Sequence, residues 1–124
     1  MEGTQSNLVM HQVDHRPWGK YEILLDADNV KVKRITVDPG GKLSYQYHHK
    51  RSETWILIEG TGHFTLNDNV QICTVGDVLQ IPQGAKHRIE NTGEQPIIFI
   101  EVQRGTYFGE DDIVRIEDSY GRAN

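Results

Sequence analysis

The chain has 124 residues with 13 basic and 18 acidic side chains, a formal net charge of −5, and a single cysteine, Cys73. That length fits one domain, the acid excess excludes a global basic footprint for nucleic acid, and a lone cysteine excludes an intramolecular disulfide framework and suits a reducing compartment. No basic-then-apolar leader opens the sequence, and no apolar run reaches the roughly 18 residues of a bilayer span, so a cytoplasmic protein with no membrane partner is expected.

Residues 1–12 show no hydrophobic period and read as a flexible arm ahead of a domain over 13–124. From Tyr21 onward, short β-type runs alternate with turn residues. The runs are Tyr21–Leu25, Val30–Val37, Leu43–His48, Thr54–Ile58, His63–Leu66, Val70–Cys73, Val78–Ile81, His87–Glu90 and Ile97–Gln103. Turn chemistry such as Asp38-Pro39-Gly40-Gly41, Asn67-Asp68-Asn69 and Pro82-Gln83-Gly84 separates them. This pattern predicts an all-β sandwich or barrel. Ile56-Leu57-Ile58 and Ile97 to Ile100 are continuously apolar, which predicts strands covered on both faces. A second sheet or a second subunit would supply the cover, and a homodimer is expected on that ground. The acid-rich stretch from Glu110 to Asp118 reads as solvated, or as a partner for a neighbouring subunit's basic strand.

Two stretches carry chemistry. The first is Gly40-x5-Gln46-x-His48-x4-Glu53-x6-Gly60, and the second is Gly76-x5-Pro82-x-Gly84-x2-His87-x3-Asn91. Gln46 and His48 are two apart on a predicted strand and therefore share a face. Glu53 follows a short bend, and barrel closure would bring His87 opposite. Two imidazoles, a carboxylate and an amide oxygen make a mixed N/O site for one divalent metal ion. Zn²⁺ is the first choice and Mn²⁺, Fe²⁺, Co²⁺ or Ni²⁺ are alternatives, whereas Ca²⁺ prefers all-oxygen sites. These stretches resemble the two signature motifs of the cupin superfamily, with Gln46 where histidine is usual. The resemblance implies a single-domain jelly-roll barrel, the double-stranded β-helix.

A closer resemblance covers about residues 13–122. Arg16-Pro17-Trp18-Gly19-Lys20-Tyr21-Glu22, the run from Val32 to Gly40, the core Gln46-x-His48-x-x-Arg51-x-Glu53-x-Trp55, and the ending from Ile100 to Arg122 are similar to type II phosphomannose isomerases. Lys50, Thr54 and Arg104 depart from that family's common residues. The resemblance implies interconversion of mannose 6-phosphate and fructose 6-phosphate, with a phosphosugar as the binding partner. That family often fuses its cupin to a guanylyltransferase. No Gly-rich phosphate-cradling signature occurs in this sequence, so guanylyltransferase activity is not expected of it.

Such an isomerase needs a Lewis acid, a proton carrier and an anion-binding group. Arg51 lies between two ligands, and its planar fork suits a phosphate or an enediolate oxygen; a structural ion pair is the alternative. Glu101 and Gln103 share a strand face. Glu101 is the candidate base, with a buried salt bridge as its other reading, and Gln103 is a candidate substrate contact. Lys33 and Lys86 are candidate phosphate contacts. Two other functions stay open: a non-catalytic sugar-binding or regulatory cupin, and another metal cupin enzyme such as a dioxygenase.

Overall fold

The computed structural model describes residues 12–118. The expected N-terminal arm, apart from Gln12, therefore lies outside the described residues, as do Ser119 to Arg122 of the family-like ending. Eleven strands form two sheets: β1 (Gln12–Arg16), β2 (Gly19–Asp26), β3 (Val30–Val37), β4 (Tyr45–His48), β5 (Arg51–Glu59), β6 (Gly62–Leu66), β7 (Asn69–Cys73), β8 (Val78–Ile81), β9 (His87–Glu90), β10 (Ile97–Gly105) and β11 (Ile113–Glu117). One sheet has the order β1-β2-β3-β10-β5-β8 and the other β11-β4-β9-β6-β7. Every named pairing is antiparallel. Glu110–Asp112 forms a single 3-10 turn. No described helix is long and apolar enough to cross a membrane.

Strand alternation decides what faces inward. On β5 the inward set is Arg51, Glu53, Trp55 and Leu57, and on β10 it is Ile97, Phe99, Glu101 and Gln103. Pairing aligns these sets: Leu57 lies opposite Phe99, Trp55 opposite Glu101, and Glu53 opposite Gln103. On the other side of β10, Ile35 lies opposite Phe99 and Lys33 opposite Glu101. The inner face of the large sheet is thus apolar at one end and charged at the other. The apolar end joins Phe64, Leu79 and Ile89 in the core. Trp55 stacks on Phe99 at 4.3 Å and meets Phe64 edge-on at 5.4 Å. Such aromatic pairs add about 0.5–1.5 kcal/mol each beyond area burial. The charged end is left to form the site.

Two turns show the local logic. The hairpin between β6 and β7 turns on Asn67 (φ 49°) and Asp68 (φ 72°), residue types that tolerate left-handed backbone. Gly60 has φ +90°, and a Cβ there would lie 2.6 Å from the Pro96 carbonyl oxygen, so the chain can leave β5 in this way only with glycine.

Three expectations need correction. No second sheet covers the outer face of the continuous apolar runs among the described residues: Ile58 is 46% exposed, and Ile56, Ile98 and Ile100 are half-buried there. Strand alternation puts the odd positions inside and leaves the even ones on the face that a second subunit would cover. β1 was not expected, because four polar residues around Val13 carry no clear period; it holds its place by pairing with β2. β11 falls within the acid-rich stretch read as solvated, yet it pairs with β4 of the same chain. Glu117 there is met by Arg88 at 2.6 Å.

Candidate metal centre

Three strands converge at the charged end of the barrel. β4 ends in His48, β5 carries Glu53 two residues from its start, and β9 begins with His87. His48, Glu53 and His87 are 2%, 1% and 1% exposed. One ligand atom from each lies within 4.8 Å of the others. His48 Nε2 is 3.2 Å from Glu53 Oε2, and His87 Nε2 is 3.8 Å from Glu53 Oε1.

The ring orientations follow from the other nitrogens. His48 Nδ1 is 3.3 Å from the Asp112 carbonyl, and His87 Nδ1 is 2.9 Å from the Ala85 carbonyl. A carbonyl only accepts, so each Nδ1 carries its hydrogen and donates, which leaves each Nε2 a bare lone pair on the cluster side. Burial lowers the His48 pKa to about 3, with Arg51 adding to the effect, and burial lowers that of His87 to about 4. Both rings are therefore neutral, as metal ligands must be. His87 Nε2 is buried with no hydrogen-bond partner among the described residues. A buried polar atom without a partner calls for a ligand. The donor set of two neutral imidazoles and a carboxylate fits a divalent ion such as Zn²⁺.

Gln46 sits on β4 directly opposite His87 on β9. Its Oε1 accepts from the Ser44 hydroxyl at 2.7 Å, and it lines the adjoining cavity. Glu53 is held from both sides: Trp55 Nε1 donates to Oε1 at 2.8 Å and Arg51 Nε to Oε2 at 2.9 Å. Trp55, 1% exposed, is thus a buried support of Glu53. Arg51 Nη2 also donates to His48 Nε2 at 3.2 Å, and Nη1 to the Phe108 carbonyl at 3.3 Å. The structure thus ties Arg51 into an ion pair with a ligand instead of leaving its fork free. Asp112, overlooked in the sequence, accepts from the backbone N–H groups of His49 and Lys50 while its own carbonyl orients His48.

Next to the cluster, Glu101 Oε1 accepts from Gln103 Nε2 at 2.7 Å. Burial and the nearby Glu53 carboxylate push the Glu101 pKa well above the usual carboxylate range, against Lys33 and Arg51, which lower it. Gln103 Oε1 is buried with no partner among the described residues. Lys33 is 4% exposed, lies 3.4 Å from Glu110 Oε2, and sits over the Tyr21 ring at 4.3 Å. Lys33, Arg51, Glu101 and Gln103 all line one cavity with Gln46. Lys86 is not on it. That side chain reaches out to Asp68 at 3.3 Å beside Tyr45, because Lys86 lies in the loop ahead of β9, where its N–H and carbonyl are tied to Asn67. Arg16, Trp18, Tyr21, Glu110 and Arg115 also line the cavity, with Ser44 and three aliphatic side chains, and none of them is among the candidate site residues read from the sequence.

The histidines set a pH dependence. Neutral in the folded chain, they would take up protons near pH 6.5 on unfolding, so acidification favours the unfolded state. Glu101 acts in the opposite sense: the fold favours its protonated form, and stability is lost as pH rises past its unfolded value. In metal-free Glu101→Gln protein the opposing Glu101 effect is gone. Urea unfolding should then show a loss whose slope approaches about 1.4 kcal/mol per pH unit per histidine as the pH falls from 6.5 to 5. A flat profile would mean that the rings charge freely inside the fold.

Two antiparallel sheets closed around a buried two-histidine, one-carboxylate cluster make this protein a cupin. More narrowly, the chain belongs to the family described as mannose-6-phosphate isomerase C-terminal, whose model matches residues 3–118. It is 48% identical over 118 residues to the xanthan biosynthesis protein XanB of Xanthomonas campestris pv. campestris strain B100, covering 95% of this chain and 25% of that one. It is 47% identical over 113 residues to the mannose-1-phosphate guanylyltransferase ManC of Salmonella typhimurium LT2, covering 91% of this chain and 24% of that one. The chain thus spans about a quarter of the length of these relatives. An RmlC-like cupin from Shewanella frigidimarina NCIMB 400 superposes with a TM-score of 0.71 at 20% identity, over 82% of this chain and 88% of that one, a likeness of fold.

Proposed function

We propose that this cupin is a metal-dependent aldose–ketose isomerase acting on a sugar phosphate, with mannose 6-phosphate and fructose 6-phosphate as the pair. The observation that carries the reading is Glu101, a buried carboxyl that favours its proton, which lines the cavity and lies against Glu53 of the buried His48–Glu53–His87 cluster. His48, Glu53 and His87, with Gln46 on the adjoining strand, would hold the ion. A divalent ion there supplies Lewis-acid stabilisation of negative charge on sugar oxygens.

The chain's own groups supply the rest. Isomerisation moves one proton between C1 and C2 of the sugar. Glu101, with a pKa lifted from the ordinary carboxylate range, can take that proton as carboxylate and return it as acid. Gln103 donates to one Glu101 oxygen and fixes the direction of the other. Lys33 and Arg51 keep positive charge beside it, which limits how far its pKa rises.

The test is a coupled assay with mannose 6-phosphate, run with added metal and with chelator. Turnover should require metal and fall about 100-fold or more in kcat for Glu101→Gln, the usual range for loss of a general base. Metal-loaded protein that binds the phosphosugar without turnover would be a sugar-binding cupin instead.

A further inference from the structure

Four cationic side chains line the cavity: Arg16, Lys33, Arg51 and Arg115. Two of them are already committed. Lys33 faces Glu110 and the Tyr21 ring, and all three nitrogens of Arg51 have partners. Arg16 donates to the Tyr21 hydroxyl at 3.1 Å and to the His15 carbonyl at 3.3 Å, both neutral acceptors. Arg115 Nε is buried with no hydrogen-bond partner among the described residues. A buried guanidinium N–H without an acceptor is costly unless a ligand completes it.

The register places Arg115 relative to the cluster. It lies opposite Gln46 on β4, and Gln46 lies opposite His87 on β9. Two strand spacings, about 10 Å, therefore separate the Arg115 backbone from that of His87. That is the scale on which a hexose separates its carbonyl end from a phosphate on C6. β11 bulges just past Arg115, and such irregularities re-aim side chains. Arg115 and Arg16 belong to β11 and β1, the edge strands of the two sheets, so the cavity receives positive charge from both walls.

We infer that Arg115, assisted by Arg16, is the phosphate-binding group of this cavity, gripping the phosphomonoester of a sugar whose reacting end lies at the His48–Glu53–His87 cluster. The assignment rests on reading the cavity as a phosphosugar site, and it takes the phosphate role from Lys33 and Lys86. The planar fork of arginine matches two phosphate oxygens at once, which a lysine cannot do.

Titration calorimetry on the full chain decides it, with inorganic phosphate, mannose 6-phosphate and mannose as probes. Arg115→Gln should weaken both phosphate-bearing probes about 10- to 100-fold, the scale of one lost charge-assisted contact, and leave mannose unchanged. Arg115→Lys should recover only part of the loss. Arg34→Gln, a charge removed from the outer face where Arg34 pairs with Glu22, should change nothing. Because the Arg115 Nε has no partner among the described residues, Arg115→Gln should keep the wild-type melting temperature, and Arg16→Gln gives an independent, smaller loss of phosphate binding. Arg115-dependent phosphate binding without isomerase turnover upholds this inference and rejects the isomerase. Isomerase turnover with an unchanged KM for mannose 6-phosphate in Arg115→Gln overturns the inference and leaves the isomerase standing.

Discussion

His87→Ala is expected to abolish the binding of a divalent ion for which the His48–Glu53–His87 cluster is the candidate site. The ring is 1% exposed, its Nε2 has no other partner among the described residues, and its Nδ1 is anchored to the Ala85 carbonyl. Losing an outer partner of a metal ligand commonly costs 10- to 100-fold in affinity, so losing the ligand itself should exceed about 100-fold. The metal-free fold should survive. Alanine leaves space against Trp55 and His48, whose rings lie 5.6 Å and 5.3 Å from that of His87, but it also removes an unsatisfied buried nitrogen. The variant's signature is therefore thermal. Saturating metal stabilises a binding-competent fold by about 2.7 kcal/mol at 100 times the Kd, and this increment should appear in the wild type and be absent from His87→Ala. Elemental analysis completes the test, and full occupancy in the variant would remove His87 from the ligand set.

The largest effect on the fold should come from Trp55→Ala. Trp55 is 1% exposed, stacks on Phe99, and touches Phe64 and His87 edge-on. Truncating such a core aromatic costs about 3–5 kcal/mol, a large part of the 5–15 kcal/mol that holds a typical domain together. Urea unfolding reads that loss directly. Trp55→Phe separates packing from hydrogen bonding. It keeps most of the ring and deletes the Nε1 donor to Glu53 Oε1. The buried carboxylate then loses a charge-assisted bond, worth about 1.5–3 kcal/mol, and metal affinity should drop 10- to 100-fold because Glu53 is no longer aimed. Wild-type stability and affinity in Trp55→Phe would mean that the indole N–H does not position the ligand.

Much of this molecule is legible in its amino-acid sequence. Val30–Val37, Val78–Ile81 and His87–Glu90 have the strand limits expected from their β-branched runs and flanking turns. These are local properties, written in neighbouring residues. The spacing His48-x4-Glu53 with a distant His87 points to a cluster, and the three side chains do lie together.

β1 and β11 are not legible in the same way: β1 has one apolar residue among five and β11 lies in an acid-rich run, and each is held by its pairing with β2 or β4. Their absence from the expected strands hides Arg16 and Arg115, and with them the positive rim of the cavity. Lys86 is drawn toward the site by its closeness to His87 in sequence, although it lies in the loop ahead of β9 and is tied to Asn67 and Asp68.

The sequence by itself determined an all-β chain, its turns, and which residue types were available for a metal and a phosphosugar. Strand alternation sorts residues into two faces, but it does not say which face turns inward or which strands meet. Only the tertiary structure decided that Arg51 lies against Glu53, that Glu101 sits beside that pair, and that Arg115 lines the cavity. Arg51 and Glu53 are two apart on β5, but Glu101 and Arg115 reach the site from distant parts of the chain through the order of strands in two sheets. That order is settled by burying one shared core, a sum over the whole domain that no local stretch records.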